Sequence, residues 1–231
     1  RHKIMHQLMV DGVDIPCTDG VMIADTVQIG TGTTILPGTI LLGNTTIGKD
    51  CLIGPNTYIM DGTVGNGVTL DNVKLTDSTV EDGADAGPFV QIRGGSVLHT
   101  GVHIGDFVEV KNSTVGAGTK SAHLTYIGDS DVGAGVNFGC GTVTVNYDGK
   151  NKSRCKIGDG AFIGCNTNLV APVKVGSRAF TAAGSTIGHD VPDGALGIER
   201  AKQAEVAAWG AKKLEKYVAK KQKLEAEKKN D

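Results

Sequence analysis

The amino-acid sequence predicts an all-β protein whose chain winds as a parallel β-helix. An aliphatic residue recurs at every sixth position from Ile29 and Ile35 through to Ile187, with occasional five-residue steps. A small or β-branched residue, such as Thr33 or Thr39, stands two positions before most of these aliphatics. A six-residue period fits neither an amphipathic helix nor the strict alternation of a hairpin strand. It suits a solenoid that uses one short strand and one turn for each hexad.

The composition agrees with a core of stacked aliphatic side chains. Aromatic residues make up only 4% of the chain, and 34 of its 231 residues are glycine. Large rings therefore do not fill the interior, and tight turns are frequent. Burial of each stacked aliphatic side chain contributes roughly 1.5–3 kcal/mol, so the long series of hexads can support a core without aromatics.

Three segments depart from the hexads and define the domain organisation. Residues 1–12 have helical apolar spacing and stop at a glycine, which predicts a linker helix before a β-helix domain at 13–198. An interruption at about 143–156 predicts a loop insertion, and insertions in solenoids collect on the functional face. Residues 199–231 are rich in Ala, Lys and Glu and predict a C-terminal helix, broken at Gly210, with a charged tail.

Charge, cysteine usage and hydropathy narrow the class of protein. The formal net charge of −2 supplies no basic field for nucleic acid. The five cysteines form neither a C-x-x-C pair nor an even framework, which favours reduced thiols in the cytoplasm. The sequence has no apolar run of membrane-spanning length and no signal peptide, so no membrane association is expected. Because the chain begins with Arg1, we expect a fragment or a processed chain.

Polar residues that break the hexad pattern cluster between positions 93 and 152. One coil takes about 18 residues, so residues spaced 12 to 18 apart lie in neighbouring coils, where one small ligand could contact several of them. The spacing leaves open whether they share an edge of one prism or meet across a subunit boundary. The chemistry-bearing members are Arg93, Glu109, Lys111, His123, Tyr126, Asn137, Asn146, Tyr147 and Lys152.

Residues 109–152, EVKNSTVGAGTKSAHLTYIGDSDVGAGVNFGCGTVTVNYDGKNK, resemble a known enzyme family. Together with NLVAPVKVG at 168–176 and AAGSTI at 182–187, they are similar to the acetyltransferase domain of the bacterial bifunctional N-acetylglucosamine-1-phosphate uridyltransferase/glucosamine-1-phosphate acetyltransferases. The resemblance covers roughly residues 1–200. It implies a left-handed coil, a homotrimer, and a uridyltransferase domain that precedes this region in the full-length protein and is absent from this chain.

The resemblance also implies a reaction, acetyl transfer from acetyl-CoA to the amine of glucosamine 1-phosphate for UDP-N-acetylglucosamine and cell-wall synthesis. In that reaction His123 would be the general base, and Glu109 would orient its imidazole. No metal is needed. The implied substrate-binding residues are Arg93, Lys111, Tyr126, Asn137 and Lys152. The implied acetyl-CoA-binding residues are Cys140, Asn146, Tyr147, Cys165, Ala183 and Arg200.

Three positions depart from the family pattern. Arg93 is followed by Gly-Gly where the family has Pro-Gly, Cys140 stands where alanine is usual, and Cys165 stands where serine is common. None of these changes removes a group with a proposed catalytic role. Both cysteines fall in the implied coenzyme-A pocket.

Three alternative functions remain compatible with the scaffold. The first is acyl transfer to another amino sugar or small acceptor. The second is a γ-class carbonic anhydrase-like zinc protein that uses His99, His103 and His123, although His99 follows an inward aliphatic whereas His103 precedes one, so their side chains point differently. The third is a non-catalytic threonine ladder such as an ice-binding face, but the threonine repeats near residues 31–46 are not sustained.

Overall fold

The computed structural model describes residues 2–227, which contain two helices and 29 short strands. The strands form three sheets, and the chain visits sheet 1, sheet 2 and sheet 3 in turn as it winds. Every pairing between these strands is parallel. The predicted all-β, parallel β-helix fold is confirmed, with sheets of ten, nine and ten strands where the repeat length predicts about nine coils.

The strands of each sheet stack in chain order along the prism. Sheet 1 contains Met22–Ile23, Ile40–Leu42, Tyr58–Met60, Val73–Thr76, Val90–Arg93, Glu109–Lys111, Tyr126–Gly128, Val143–Val145, Asn168–Val170 and Thr186–Ile187. Sheet 2 contains Gln28–Ile29, Thr46–Ile47, Thr63–Val64, Thr79–Val80, Val97–Leu98, Thr114–Val115, Ser130–Val132, Cys155–Ile157 and Val173–Val175. Sheet 3 contains Thr34–Ile35, Leu52–Ile53, Thr69–Leu70, Asp85–Ala86, His103–Asp106, Lys120–His123, Asn137–Phe138, Phe162–Ile163, Phe180–Thr181 and Leu196–Gly197.

The hexad aliphatics form the core, as the period predicts. Ile35, Ile53 and Leu70 are in register along sheet 3 and fully buried, whereas Ile29, near the first coil, is only half-buried. The small residues two positions earlier are buried at the corners. The Thr33 hydroxyl donates to the Gly48 carbonyl at 2.8 Å, which satisfies a backbone acceptor that a larger apolar side chain would leave unpaired.

Ser121 is the weak member of the aliphatic series, and its neighbours in the stack explain its size. Its register partners are Ile104 on one side and Phe138 on the other, so a small residue lies next to the bulky ring. Ser121 is completely buried, and its hydroxyl has no hydrogen-bond partner. This position therefore has the volume that packing requires but carries an unsatisfied polar group.

The first helix and the loop both fall inside segments that depart from the hexads. The helix spans His2–Val10 and ends before Gly12, whose φ of 89° is a left-handed conformation that suits glycine. The excursion from the coil is residues 146–154, which is shorter than predicted. Residues 143–145 and 155–157 still belong to sheets 1 and 2.

Residues 201–231 form a second compact unit, within which the described residues end at 227. Its helix spans Trp209–Glu227 and includes Gly210 in the first turn, so the predicted break at Gly210 is wrong. Residues 228–231 of the predicted charged tail lie outside the described part of the chain. Neither helix among residues 2–227 is long and apolar enough to cross a membrane.

Candidate active site

A cationic cluster lies at the corner where sheet 1 passes into sheet 2. Arg93, Lys111 and Gly128 are register partners at the ends of three successive sheet 1 strands. Arg93 is held by Glu109, with Nε 2.9 Å and Nη2 2.6 Å from Oε1. Glu109 therefore contacts a guanidinium on the neighbouring coil and has no hydrogen bond to His123.

Tyr126 reaches this corner because Gly128 has no side chain. A methyl group at position 128 would lie 2.6 Å from Cε1 of the Tyr126 ring, so the ring occupies the space that a larger residue would fill. The ring is thereby directed along its own strand, and Asn146 Nδ2 lies 3.4 Å from Tyr126 Oη. The phenol is thus placed beside the loop.

Asp129 is the buried centre of the cluster. It is 4% exposed and accepts hydrogen bonds from the side-chain amides of Asn112 and Asn146. Burial opposes its ionisation, but these hydrogen bonds and the nearby Lys111 and Lys152 ammoniums outweigh burial, so the pKa of Asp129 lies below its ordinary value. An ionised carboxylate therefore anchors the loop to the prism wall.

Lys111 and Lys152 approach each other across this corner. The neighbouring Lys111 ammonium is the largest influence on Lys152 and holds the pKa of Lys152 below its ordinary value. Two ammoniums at close range repel, and an anion with several oxygens relieves that repulsion. The corner therefore favours a phosphate group.

A second network fixes the far end of the loop. The guanidinium of Arg154 is 2.5 Å from Oδ1 of Asp131 and donates to the Asn112 and Ser130 carbonyls at 2.9 and 3.0 Å. Tyr147, in contrast, turns towards its own loop, where its hydroxyl donates to the Gly149 carbonyl at 2.7 Å. Tyr147 is thus not part of the cluster in this chain.

His123 lies at a different corner, where sheet 3 passes into sheet 1. Its Nδ1 is 2.9 Å from Oδ1 of Asp106, its register partner on the preceding coil. The hydrogen bond to His123 is the main reason that the pKa of Asp106 lies below its ordinary value. Within one chain the carboxylate that contacts His123 is Asp106, so the expectation that Glu109 orients the imidazole is not met there.

This arrangement leaves His123 free to act as a base on one side. With Nδ1 donating its proton to the Asp106 carboxylate, the Nε2 lone pair points away from the pair. The His123 side chain is 63% exposed, so a substrate can approach it. The carboxylate also favours the imidazolium that proton transfer would create.

The predicted acetyl-CoA residues form a column at the His123 corner. The backbone carbonyl of Cys140 accepts a hydrogen bond from the Asn166 N–H at 2.8 Å, and the carbonyl of Cys165 accepts one from the Gly184 N–H at 2.8 Å. The turns that contain these residues therefore lie one above another on successive coils. Arg200 closes the column by donating from Nη1 to the Ala183 carbonyl at 3.0 Å. Cys140, Cys165, Ala183 and Arg200 are therefore neighbours, whereas Asn146 belongs to the cationic corner.

Asn137 remains apart from both corners within one chain. It lies in sheet 3, where its register partner is Lys120. Lys120 precedes His123 by three positions, so Asn137 is at the far end of the strand from the His123 corner. His123 and Lys111 lie at opposite edges of sheet 1, and the five residue steps from His123 to Gly128, the register partner of Lys111, span roughly 15 Å. The expectation that one small ligand contacts all these residues within a single prism is therefore not met.

The histidines considered for zinc are each paired with a carboxylate on the preceding coil. His99 Nδ1 lies 3.0 Å from Glu81 Oε1, and His103 Nδ1 lies 2.5 Å from Asp85 Oδ2. Among residues 2–227, no group of three or more His, Cys, Asp or Glu side chains is placed to hold a metal ion. The geometry offers no zinc site in the described part of the chain.

Sequence reasoning missed Asp106, Asn112, Asp129 and Arg154. Asp106 and Asp129 look like ordinary turn aspartates after a glycine in the hexad. A signal for Asp106 does exist, because it precedes His123 by 17 residues, close to one coil. The sequence gives no signal for Asn112 and Arg154. Their roles follow only from the structure, in which Asn112 contacts Asp129 and Arg154 donates to the Asn112 carbonyl.

Comparison with known proteins identifies relatives of this chain. The family described as bacterial transferase hexapeptide (six repeats) matches residues 154–189. Bifunctional protein GlmU of Geobacillus sp. (strain WCH70) is 53% identical over 203 residues, covering 88% of this chain and 44% of that protein. Bifunctional protein GlmU of Clostridium botulinum (strain Kyoto / Type A2) is 47% identical over 213 residues, which cover 92% of this chain and 47% of that protein. The chain is a homologue of part of GlmU.

This chain spans less than half the length of the GlmU proteins it matches. Among solved structures, Francisella novicida UDP-N-acetylglucosamine acyltransferase is 16% identical, with a TM-score of 0.49 over 86% of this chain and 72% of that one. The aligned GlmU region includes both corners described above, because it extends over nearly the whole β-helix. The geometry of this GlmU homologue comprises a histidine oriented by Asp106, a cationic corner and a column of stacked turns that includes Cys140 and Cys165.

Proposed function

We propose that this chain is a glucosamine-1-phosphate N-acetyltransferase that moves the acetyl group of acetyl-CoA to the sugar amine. The product, N-acetylglucosamine 1-phosphate, would feed UDP-N-acetylglucosamine and cell-wall synthesis. The observation that carries the proposal is the alignment of Arg93 and Lys111, in register at the corner where Asp129 anchors the loop through Asn146. The homology to GlmU and the resemblance of the HLTY and NYDG segments support it.

The cationic corner would bind the phosphate. Lys111 and Lys152 supply two compact ammoniums, and Arg93 supplies a guanidinium held ready by Glu109. Tyr126, beside the loop, would contact the sugar or the phosphate. The phosphate would replace the repulsion between the two lysines with charge-assisted hydrogen bonds.

His123 would carry out the proton transfer. Its Nε2 takes a proton from the sugar ammonium, and the free amine attacks the thioester carbonyl. The tetrahedral oxyanion accepts a hydrogen bond, which we assign to the backbone N–H of Cys140 at the same corner. Collapse of the intermediate expels the coenzyme A thiolate, which takes up the proton from the imidazolium. The regenerated imidazole then accepts the second proton of the attacking nitrogen and passes it to solvent, which leaves the neutral amide.

Acetyl-CoA would lie along the column of Cys140, Cys165 and Ala183, with the Arg200 guanidinium facing a phosphate of the coenzyme. Asn146 and Tyr147 remain proposed contacts of acetyl-CoA through the loop. No metal is required, because proton transfer and hydrogen bonding supply the catalysis. The chain would act in the cytoplasm, where acetyl-CoA is available.

A homotrimer would complete this site. The base and the cationic corner lie at opposite edges of sheet 1 in one chain, while the amine and the phosphate of the substrate sit on adjacent carbons. A neighbouring prism whose His123 corner packs beside the cationic corner would bring the two together, with Asn137 as a further contact. A heterologous interface that closes in threes does this for all copies, and the full-length protein would add an N-terminal uridyltransferase domain.

The test is release of free thiol from acetyl-CoA in the presence of glucosamine 1-phosphate. His123→Ala should lower kcat by roughly 10²–10⁴-fold, which is the range of general-base catalysis. The matched control is His99→Ala, which removes a histidine–carboxylate pair on the same prism away from this corner. An unchanged kcat in His123→Ala would remove the base assignment.

Acetyl transfer to another acceptor is the competing function. The phosphate corner predicts that phosphorylated amino sugars are acetylated well and that unphosphorylated glucosamine is a poor substrate. Lys111→Ala should raise KM for glucosamine 1-phosphate and leave KM for acetyl-CoA unchanged. Equal turnover of phosphorylated and unphosphorylated amines would instead favour the broader acceptor.

A further inference from the structure

Cys140 and Cys165 are neighbours across two successive coils. Gly139 donates its N–H to the Ile163 carbonyl at 2.7 Å, and Asn166 donates its N–H to the Cys140 carbonyl at 2.8 Å. In a parallel ladder this pattern places residue 140 directly opposite residue 165, in continuation of the Phe138–Ile163 register. The two cysteines therefore face each other although 25 positions separate them in the sequence.

The spacing of the two residues is within the range that a disulfide bond spans. Neighbouring strands lie about 4.8 Å apart, and the Cα atoms of a disulfide are usually about 4.4–6.8 Å apart. Residues in register on parallel strands project their side chains in the same direction. Cys140 and Cys165 are both exposed on the outer surface of the corner.

The remaining cysteines offer no such pair. Cys51 and Cys155 are buried, and burial raises the pKa of the Cys155 thiol to about 12. A thiol that stays protonated is a poor nucleophile, so Cys155 serves as an internal reference of low reactivity. Cys17 is partly exposed at the first turn of the prism, far along the chain from both members of the pair.

We propose that Cys140 and Cys165 are a reversible dithiol–disulfide pair that reacts with low-molecular-weight disulfides. One cysteine thiolate attacks a sulfur of the small disulfide, which forms a mixed disulfide and releases one small thiolate. The second cysteine, as thiolate, attacks the protein sulfur of that mixed disulfide and releases the second small thiolate. The protein loses two electrons and two protons, and the small disulfide is reduced to two thiols.

Oxidation would change the corner at which coenzyme A is proposed to bind. A disulfide bond between residues 140 and 165 would occupy the outer surface of the proposed acetyl-CoA column and restrict the movement of the two turns that contain these residues. We expect KM for acetyl-CoA to rise several-fold in the oxidised chain and to return when dithiothreitol is added. This consequence rests on the proposed function, whereas formation of the disulfide does not.

The experiment exposes the native chain to oxidised glutathione, quenches free thiols and maps tryptic peptides. Cys140 lies in peptide 121–150 and Cys165 in peptide 157–174, so the bond appears as one cross-linked species. We expect that species within single chains on a non-reducing gel, and we expect dithiothreitol to abolish it. Peptides that contain Cys51 and Cys155 should remain unmodified.

The single variants Cys140→Ser and Cys165→Ser are the matched controls. Each should accumulate a stable glutathione adduct on the remaining cysteine, because the resolving thiol is gone. A stable adduct on both cysteines of the native chain, no reaction at either, or a bond found only between chains would overturn the proposal. A chain that forms the bond but transfers no acetyl group would contradict the proposed function and leave the redox pair standing.

Discussion

The contact between His123 and Asp106 determines which imidazole nitrogen can accept a proton. The carboxylate holds the proton on Nδ1 and so keeps the Nε2 lone pair available. An amide at position 106 can present either its oxygen or its NH₂ group to the ring, and it carries no charge to stabilise an imidazolium.

Asp106→Asn should therefore lower kcat on the order of 10-fold with little change in either KM, since an exposed orienting carboxylate contributes less than a buried one. Steady-state kinetics and the ¹⁵N chemical shifts of His123, which report the tautomer, measure this. Asp85→Asn is the matched control, because Asp85 contacts His103 in the same way on the same sheet. Equal kinetics for native protein and Asp106→Asn would show that the contact has no part in catalysis.

The paired lysines predict how phosphate binding depends on pH. The pKa of Lys152 is lowered by Lys111, and a bound phosphate favours the protonated ammonium. Affinity should thus be greatest while Lys152 is charged and should fall as the pH rises through its lowered pKa. Because the phosphate is already a dianion above about pH 7, its own titration does not cause this fall.

Calorimetry with N-acetylglucosamine 1-phosphate, which has no titrating amine, tests this from neutral to alkaline pH. We expect affinity to weaken with rising pH in the native protein. Lys152→Arg should remove much of the dependence, because a guanidinium stays charged over this range. Lys74→Arg, on the same sheet away from the corner, is the control. An identical profile in Lys152→Arg would exclude Lys152 as the titrating group.

At the level of the strands, Ser121 in the Lys120–His123 strand has a side chain of suitable volume for its buried position but an unsuitable polarity. Ser121 packs beside Phe138 with its hydroxyl unsatisfied. Ser121→Ala should raise the free energy of unfolding by about 1 kcal/mol, because the unpaired hydroxyl is removed and little volume is lost. Denaturant unfolding measures this.

Ser130 provides the matched control for that substitution. It is equally buried, but its hydroxyl donates to the Gly128 carbonyl at 2.9 Å. Ser130→Ala should therefore lower the free energy of unfolding by about 1 kcal/mol. If both substitutions destabilise the protein alike, then the Ser121 hydroxyl has a partner in solution, such as a water molecule.

The strands also show how far the sequence could be interpreted. A repeated aliphatic position requires one face to be buried in every coil, so the period alone predicts three parallel sheets and the stacked aliphatic series, which is over half of the core. Side-chain partners depend on register and on where a chain turns, so the hexad spacing does not identify Asp106 rather than Glu109 as the partner of His123. Glu109 in fact lies in register with Tyr126 on sheet 1, whereas Asp106 is the residue opposite His123.

At the scale of the whole molecule, exposed aromatic stacks accompany the incomplete site. Phe89 and Phe107 are 59% and 57% exposed and stack at 5.3 Å between ring centroids, on the same corner column as His123. Phe162 and Phe180 form a second stack at 5.4 Å on the outer face of sheet 3. Apolar surface of this kind favours contact with another protein surface, and copies of the same prism would cover it.

The proposed homotrimer predicts a molecular mass of three chains by light scattering, and it also makes a prediction about activity. If one copy supplies His123 and its neighbour supplies Lys111, then His123→Ala and Lys111→Ala chains can complement each other. In trimers that contain both variants, roughly one site in three would combine an unaltered His123 with an unaltered Lys111. Co-expression with two different tags, followed by purification on both, provides these mixed assemblies for the thiol-release assay.

At a concentration of glucosamine 1-phosphate well below the KM of Lys111→Ala, we expect each variant alone to be nearly inactive and the mixed trimers to recover a substantial fraction of the native rate. Recovery requires that the two residues of one site come from different chains, because no single chain in the mixture has both. Mixed trimers as inactive as the parents would show that His123 and Lys111 act within one chain. The roughly 15 Å between their corners would then have to close by movement of the polypeptide. A fully active monomer would likewise contradict the shared site.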